Sequence, residues 1–226
     1  MYKYETHLHT YPVSQCGSAG VRETLEFYKS IGYKGVFITN HFLDANINIE
    51  CRDRSYEEQI EFFFSDYEEG KKISEEIGID VFCGVEMSYK GTDFLVYGLD
   101  KEWYLKHPEI MEMKKSEELK LLADNGAFIV HAHPYRQAVY IDHIRLFPDC
   151  VHGVETINAN RSNLENKMAD IYADNYGFFK TAGSDNHSAG NQRHLAGMSC
   201  ETPLKDEIDF INKIKNGEMN IFTLDI

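Results

Sequence analysis

Short apolar runs alternate along the chain with segments whose apolar residues recur at helical spacing. Val36, Phe37 and Ile38 form a run typical of a buried strand, whereas Leu25 and Tyr28 illustrate the spacing of three or four residues that predicts a helix. Strands are predicted over residues 3–9, 35–40, 81–87, 94–99, 128–133, 151–157, 179–184 and 221–224. Helices are predicted over residues 21–31, 56–77, 109–123, 164–176 and 204–215.

This order of strand, helix, strand predicts an α/β fold with a largely parallel sheet, because parallel neighbours need a crossover between them. The number of repeats favours a barrel over an open sheet. The length of 226 residues suits one domain, and no linker, repeat or low-complexity tract divides the chain. We therefore expect a single domain over residues 1–226.

Composition limits the cellular compartment and the binding partners that we expect for this protein. The formal net charge of −14 disfavours nucleic acid and anionic membranes as partners, and no apolar run is long enough to span a bilayer. The first residues contain no apolar leader, and the five cysteines are widely spaced without a C-x-x-C pair. These features predict a cytoplasmic protein. The oligomeric state leaves no signal in the sequence.

Histidines and carboxylates gather where the predicted strands end. Two residues that are two positions apart on a strand point to the same face, so a His-x-His pair can grip one ion. Mixed imidazole and carboxylate ligands favour zinc, manganese or iron. In barrels, active sites form at the carboxyl ends of the strands. The residues placed in this way are His7 and His9, His41, Glu86, His131 and His133, and Asp185 and His187.

The order of these motifs resembles that of the polymerase and histidinol phosphatase (PHP) superfamily of phosphoesterases, from Glu5 to His187. The resemblance implies a distorted (β/α)7 TIM-like barrel holding two or three divalent ions. It also implies that Glu86 bridges metals and that His133, which precedes Pro134, is a ligand. The metal ligands that it implies are His7, His9, His41, Glu86, His133, Asp185 and His187.

Two positions depart from the family pattern. Where the family has an Asp or His shortly after the first motif, this chain offers Cys16 as a ligand. Where the family often has a His beyond the glutamate, the nearest candidate is Asp93. Both a two-metal site and a three-metal site that uses Asp93 are consistent with these changes.

Four further residues are candidates for supporting roles. We expect His131 to share a face with His133, and it is one candidate for the acid that protonates the leaving group. Arg136 and Arg193 follow two of the motifs and suit phosphate binding through the guanidinium fork. Glu155 ends a predicted strand and could orient a ligand.

The sequence therefore predicts metal-dependent hydrolysis of a small phosphomonoester by an activated water. One alternative is an amide or ester hydrolase of the related metal-dependent barrels. Lys180 is the only lysine near a strand end that could be carboxylated to bridge two metals, which speaks against this alternative. Another alternative is a metal-binding module without activity.

Overall fold

The computed structural model describes residues 1–226, whose ten strands form two five-stranded sheets. The first sheet has the order β10-β9-β1-β2-β3, and the second has the order β4-β5-β6-β7-β8. The first sheet contains β1 (Tyr2–Glu5), β2 (Gly35–Ile38), β3 (Asp80–Cys83), β9 (His194–Cys200) and β10 (Asn220–Asp225). The second contains β4 (Val85–Tyr89), β5 (Thr92–Tyr97), β6 (Phe128–Ala132), β7 (Gly153–Asn158) and β8 (Phe179–Gly183).

Six α-helices accompany the sheets, and two of them begin with reciprocal caps. Ser55 accepts from the backbone of Glu58 while the Glu58 side chain accepts from the backbone of Ser55, and Ser162 and Glu165 repeat the arrangement. None of the helices is long and apolar enough to cross a membrane. The helices are α1 (Val21–Ser30), α2 (Tyr56–Ile77), α3 (Lys101–Lys106), α4 (Lys115–Asp124), α5 (Asn163–Tyr176) and α6 (Glu207–Lys215).

The prediction of a (β/α)7 barrel is wrong, because the strands form two mixed sheets and no closed barrel. The predicted strand over residues 81–87 is divided at Gly84 into β3 and β4, which belong to different sheets. In addition, β4, β5 and β6 pair antiparallel, and β9 runs antiparallel to both β1 and β10. Helices still lie between β5 and β6 and between β9 and β10, but these pairs run antiparallel. The uniform run of parallel neighbours that a barrel of this kind repeats is therefore broken.

The two sheets enclose a common apolar core and approach each other at the strand ends. Phe37 and Phe82 from the first sheet lie in one buried cluster with Leu95 and Phe128 from the second. Single β-bridges join Leu8 to Asn186 and His41 to Glu86. The segments that leave β1, β2 and β8 therefore meet β4 in one place, and the metal-ligating residue types lie there.

Candidate metal centre

The first His-x-His motif lies just beyond β1 and is held by a buried carboxylate at the end of that strand. Glu5 Oε1 accepts hydrogen bonds from the backbone N–H groups of Thr6, His7 and Ser184 at 3.0, 2.9 and 2.8 Å. Ser184 directly follows β8 and precedes Asp185. One carboxylate therefore fixes both of the chain segments that carry the first and last motifs.

Glu86 lies at the centre of the cluster and is almost completely buried. Its Oε1 is 3.1 Å from His7 Nε2 and 3.4 Å from His133 Nε2. Its Oε2 is 3.1 Å from His9 Nε2 and 2.8 Å from His41 Nδ1. The two oxygens thus face different pairs of imidazoles, as expected of a carboxylate that bridges two metal ions.

Backbone strain directs two of the remaining candidates into the cluster. His133 has a φ of 26° and Asp185 has a φ of 52°, in the left-handed region that side chains other than glycine seldom adopt. Such conformations cost about 1–3 kcal/mol each and concentrate at functional sites. Asp185 Oδ1 lies 3.5 Å from His7 Nε2 and 3.4 Å from His9 Nε2, and the ring of His187 stacks on that of His9.

Three overlapping groups of residues could each hold an ion, with ligand atoms within 4.8 Å of one another. His7 belongs to two of these groups and His9 also belongs to two, so the groups lie side by side. The groups are His7, Glu86 and His133; His7, His9 and Asp185; and His9, His41 and His187.

Buried atoms that lack a hydrogen-bond partner show that the cluster fits metal ions. An unpaired polar atom in the interior costs about 1–3 kcal/mol, so a concentration of such atoms needs a ligand to satisfy them. Divalent ions would satisfy imidazole nitrogens and carboxylate oxygens together. The unpaired atoms at the site are His7 Nε2, His9 Nε2, His41 Nδ1, both Glu86 oxygens and His133 Nε2.

Hydrogen bonds behind the cluster orient three of the imidazoles. His7 Nδ1 lies 2.9 Å from Glu155 Oε1, His9 Nδ1 lies 3.2 Å from Ser14 Oγ, and His187 Nδ1 lies 2.8 Å from the Asp185 carbonyl oxygen. A ring that donates through Nδ1 leaves Nε2 as the metal-binding atom.

The charged groups of the cluster shift one another's pKa values. Burial disfavours the charged form of Glu86, but the surrounding imidazoles hold the pKa of that carboxyl well below its usual range. Burial likewise opposes a charge on His7, yet the carboxylates around it raise its pKa well above the usual value. Despite burial, the pKa of His41 beside Glu86 rises to about 9. Protons therefore compete with metal ions for these imidazoles, and we expect metal binding to weaken in acid.

Cys16, Asp93 and Arg136 lie at the edge of the cluster. Cys16 is exposed and lines the same cavity as His41. Asp93 Oδ2 lies 3.8 Å from His133 Nε2 but only 2.9 Å from Arg136 Nη2. Asp93 thus pairs with Arg136 at the lining of the cavity, next to His133.

His131 and Arg193 are not brought into the cluster. The expectation that His131 and His133 share a face is wrong, because β6 ends at Ala132 and the positive φ of His133 breaks the alternation. His131 instead stacks on Phe94, and burial lowers its pKa to about 3. Arg193 is exposed just before β9, and its side chain forms no hydrogen bond or ion pair. Neither placement supports the catalytic roles expected for these residues.

A cavity of about 530 Å³ opens above the histidines. Asp44, Ser88, Lys90 and Tyr140 line it in addition to residues named from the sequence. Lys90 lies in the turn between β4 and β5 and forms no ion pair, so it contributes a free positive charge. Neither Lys90 nor Asp44 belongs to a recurring motif, and only the fold brings them to the cavity.

Comparisons with known proteins give matches among solved structures alone, since no family profile and no curated protein matches the chain. A two-domain protein from Bacteroides vulgatus containing a predicted PHP-like metal-dependent phosphoesterase superimposes with a TM-score of 0.69 at 14% identity. The match covers 98% of this chain and 64% of that one, so this chain spans less than two thirds of its length.

Two further solved structures are similar over almost the full length of both chains. A protein from Bifidobacterium adolescentis assigned as a metal-dependent phosphoesterase has a TM-score of 0.56 at 14% identity, covering 92% of this chain and 94% of that one. An amidohydrolase from Chromobacterium violaceum, solved with bound sulfate and no metal, has a TM-score of 0.55 at 14% identity, covering 96% and 97%. The resemblance that the motifs indicate thus extends to the architecture, and the chain has the fold of the PHP-like metal-dependent phosphoesterases.

Proposed function

We propose that this protein is a metal-dependent phosphoesterase that hydrolyses a small phosphomonoester. The observation that carries the proposal is Glu86, whose two unpaired oxygens face separate pairs of imidazoles. His7 and His133 would hold one ion on the Oε1 side, and His9 and His41 would hold another on the Oε2 side. When bound, such ions supply Lewis acidity that activates a water and neutralises the charge of the phosphoryl group.

The residues around the cavity suit a phosphate monoanion or dianion. Arg136 uses Nη2 to bind Asp93 and the Gly91 carbonyl oxygen, while its buried Nε has no partner. Because the guanidinium lines the cavity, its free N–H groups can donate to a phosphoryl oxygen, and Asp93 holds it in place. Lys90 adds a second cation at the cavity. A metal-binding module without activity would not require either cation, so both favour an enzyme.

The number and identity of the ions remain proposals. The His9, His41 and His187 group supports a third ion, for which the exposed Cys16 offers a thiolate. Asp93 is engaged by Arg136, which favours a role in positioning Arg136. Zinc, manganese and iron all suit these ligands. The five cysteines are free, in agreement with the reducing cytoplasm proposed from their spacing.

An amide or ester hydrolase is the second candidate, because one similar structure is called an amidohydrolase. Many such enzymes would need a lysine carbamate to bridge the metals. Lys180 is the only candidate from the sequence, and its Nζ pairs with Asp170 at 2.6 Å and Asp174 at 2.7 Å on the outer helix α5. This placement favours the phosphoesterase.

Metal analysis and a substrate screen test the proposal. Protein purified without chelator and reconstituted with zinc, manganese or iron should hold at least two ions per chain and hydrolyse an aryl phosphate. A chelator should abolish turnover, and Glu86→Gln should lower both metal content and turnover. Glu117→Gln, at an exposed site, is the matched control. Fewer than one ion per chain, or hydrolysis of aryl esters and amides but of no phosphate, would overturn the proposal.

A further inference from the structure

A second cavity, of about 270 Å³, lies beside the metal cavity. The two cavities share Asp44, Ser88 and Lys90 as lining residues. These three residues form a wall between the two cavities. A molecule bound at the metal site can therefore contact this wall with the portion that lies away from the ions. The second cavity is completed by Tyr89, Ile110, Met111, Met113, Lys115 and Glu118.

Two carboxylates beside this wall share one buried ammonium group. Lys115 Nζ lies 2.5 Å from Asp44 Oδ2 and 2.7 Å from Glu118 Oε2. The side chains of Lys115 and Glu118 are 6% and 5% exposed, whereas that of Asp44 is 21% exposed. Burial raises the pKa of both carboxyls even beside Lys115. A single ammonium thus leaves the pair short of hydrogen-bond donors.

Asp44 is the member of this group that a ligand can reach. Its carboxylate is held by Lys115 and, at 3.3 Å, by the backbone N–H of Ser88. An ionised carboxylate can accept about four hydrogen bonds, so Asp44 retains capacity on a fixed side chain. Because it is negative, it disfavours a phosphoryl group directly against its own oxygens and favours a neutral or cationic donor there, whereas Lys90 on the same wall can face the phosphoryl group.

We propose that Asp44 determines substrate specificity by accepting a hydrogen bond from a hydroxyl or ammonium group on the alcohol portion of the phosphate ester. This inference rests on the proposed function and narrows its substrate class to phosphomonoesters whose leaving group carries a hydrogen-bond donor. The phosphoryl group lies against the ions and Arg136, and the rest of the ester extends along the wall towards the second cavity. A second phosphate or a carboxylate at this position is disfavoured.

Matched substrates test the inference on the metal-loaded, full-length protein. The specificity constants of ethyl, propyl and butyl phosphate are compared with those of the same esters bearing a terminal hydroxyl or amino group. A hydrogen bond to a charged group should raise the specificity constant of the best donor-bearing ester by about ten- to hundred-fold over its plain partner. Comparison of the hydroxyl esters with the amino esters shows whether the site recognises a hydroxyl or an ammonium group.

Substitutions assign the preference to Asp44. Asp44→Asn should reduce the ratio between donor-bearing and plain esters to near one, while Asp142→Asn, at a site 77% exposed, should keep it. If Asp44→Asn does not fold, Glu118→Gln should lower the preference for the amino esters, because Lys115 then neutralises Asp44 alone. An equal rate for all esters, or a ratio that survives both substitutions, overturns the inference but leaves the hydrolase intact. If no phosphate ester is turned over, the proposed function fails, and the inference fails with it.

Discussion

Glu155 illustrates how a residue behind the ligands can decide metal binding. It is fully buried, and its Oε1 lies 2.9 Å from His7 Nδ1. Its Oε2 accepts from the backbone N–H of His133 at 3.0 Å and from Asn158 Nδ2 at 2.9 Å. Each oxygen of Glu155 therefore accepts from one candidate metal ligand: Oε1 from His7 and Oε2 from His133.

Glu155→Gln should weaken metal binding by about ten- to hundred-fold, the usual effect of losing such a support. An amide offers one acceptor only, so its nitrogen must face either His7 or the donors near His133. The affinity is measured by competition with a chromogenic chelator, with Glu117→Gln as control. An affinity within about two-fold of the parent's would show that Glu155 does not orient the ligands.

Cys16 tests whether a third ion binds. If its thiolate completes the His9, His41 and His187 group, Cys16→Ser should lower the content of bound metal by up to one ion per chain, by a measurable amount, and leave the others, because serine is a much weaker ligand. Elemental analysis after dialysis measures this loss, and Cys150→Ser, remote from the cavity lining, is the control. Equal metal content in mutant and parent would remove Cys16 from the candidate ligands.

The sequence identified individual site residues only where they lie at the end of a predicted strand. The fold brings together His7, His9, His41, Glu86, His133, Asp185 and His187, all of which the motif pattern had singled out. His131 was misplaced because strand alternation cannot reveal the positive φ of His133, two residues later. Asp44 and Lys90 carry no spacing signal, since only tertiary structure joins the turn after β2 to the β4–β5 hairpin.

At the scale of elements, helices were predicted better than the pairing of strands. The helix over residues 56–77 agrees with α2 at both ends, because a serine cap and Gly78 mark them. Apolar periodicity identifies a strand but does not give its direction, so the antiparallel hairpin of β4 and β5 was taken as part of a parallel array. The run over residues 81–87 also concealed the change of sheet at Gly84.

Gly84 permits this change of sheet because a side chain does not fit there. A Cβ at this position would lie 2.7 Å from Thr39 Cγ2 and 3.0 Å from Tyr97 Cε1. Gly84→Ala should therefore lower the free energy of unfolding by about 1–3 kcal/mol, the usual cost of overpacking, and should disturb Glu86 two residues later. Urea denaturation and metal content measure the two effects.

Gly20→Ala is the matched control for Gly84→Ala. It lies at the N-cap of α1 with an ordinary φ of −77°, and no atom is closer than 4.0 Å to the added Cβ. Alanine caps a helix less well than glycine, so the stability of this variant should fall by no more than about 1 kcal/mol below the parent's. Equal stability of both variants would show that the junction between β3 and β4 tolerates a side chain.

On the scale of the whole molecule, an acidic protein must admit an anionic substrate. The chain carries 37 acidic against 23 basic residues, a formal charge of −14. Bound ions, Arg136 and Lys90 supply positive charge within the cavity, but salt screens exposed charges beyond about 8 Å at physiological ionic strength. Attraction is therefore local, whereas the net charge of the whole protein is negative.

This contrast predicts a preference for small phosphate monoesters over duplex or long single-stranded DNA. A small ester places its one phosphate against the ions and exposes little other charge, while each additional phosphate of a polynucleotide adds repulsion at the acidic rim. Specificity constants for a nucleoside monophosphate, a sugar phosphate and a long oligonucleotide, measured with the same metal and salt, test this expectation. Raising the salt should narrow the difference, because screening weakens the repulsion. If the oligonucleotide is processed best at every ionic strength, surface charge does not govern selection and a nuclease becomes the leading hypothesis.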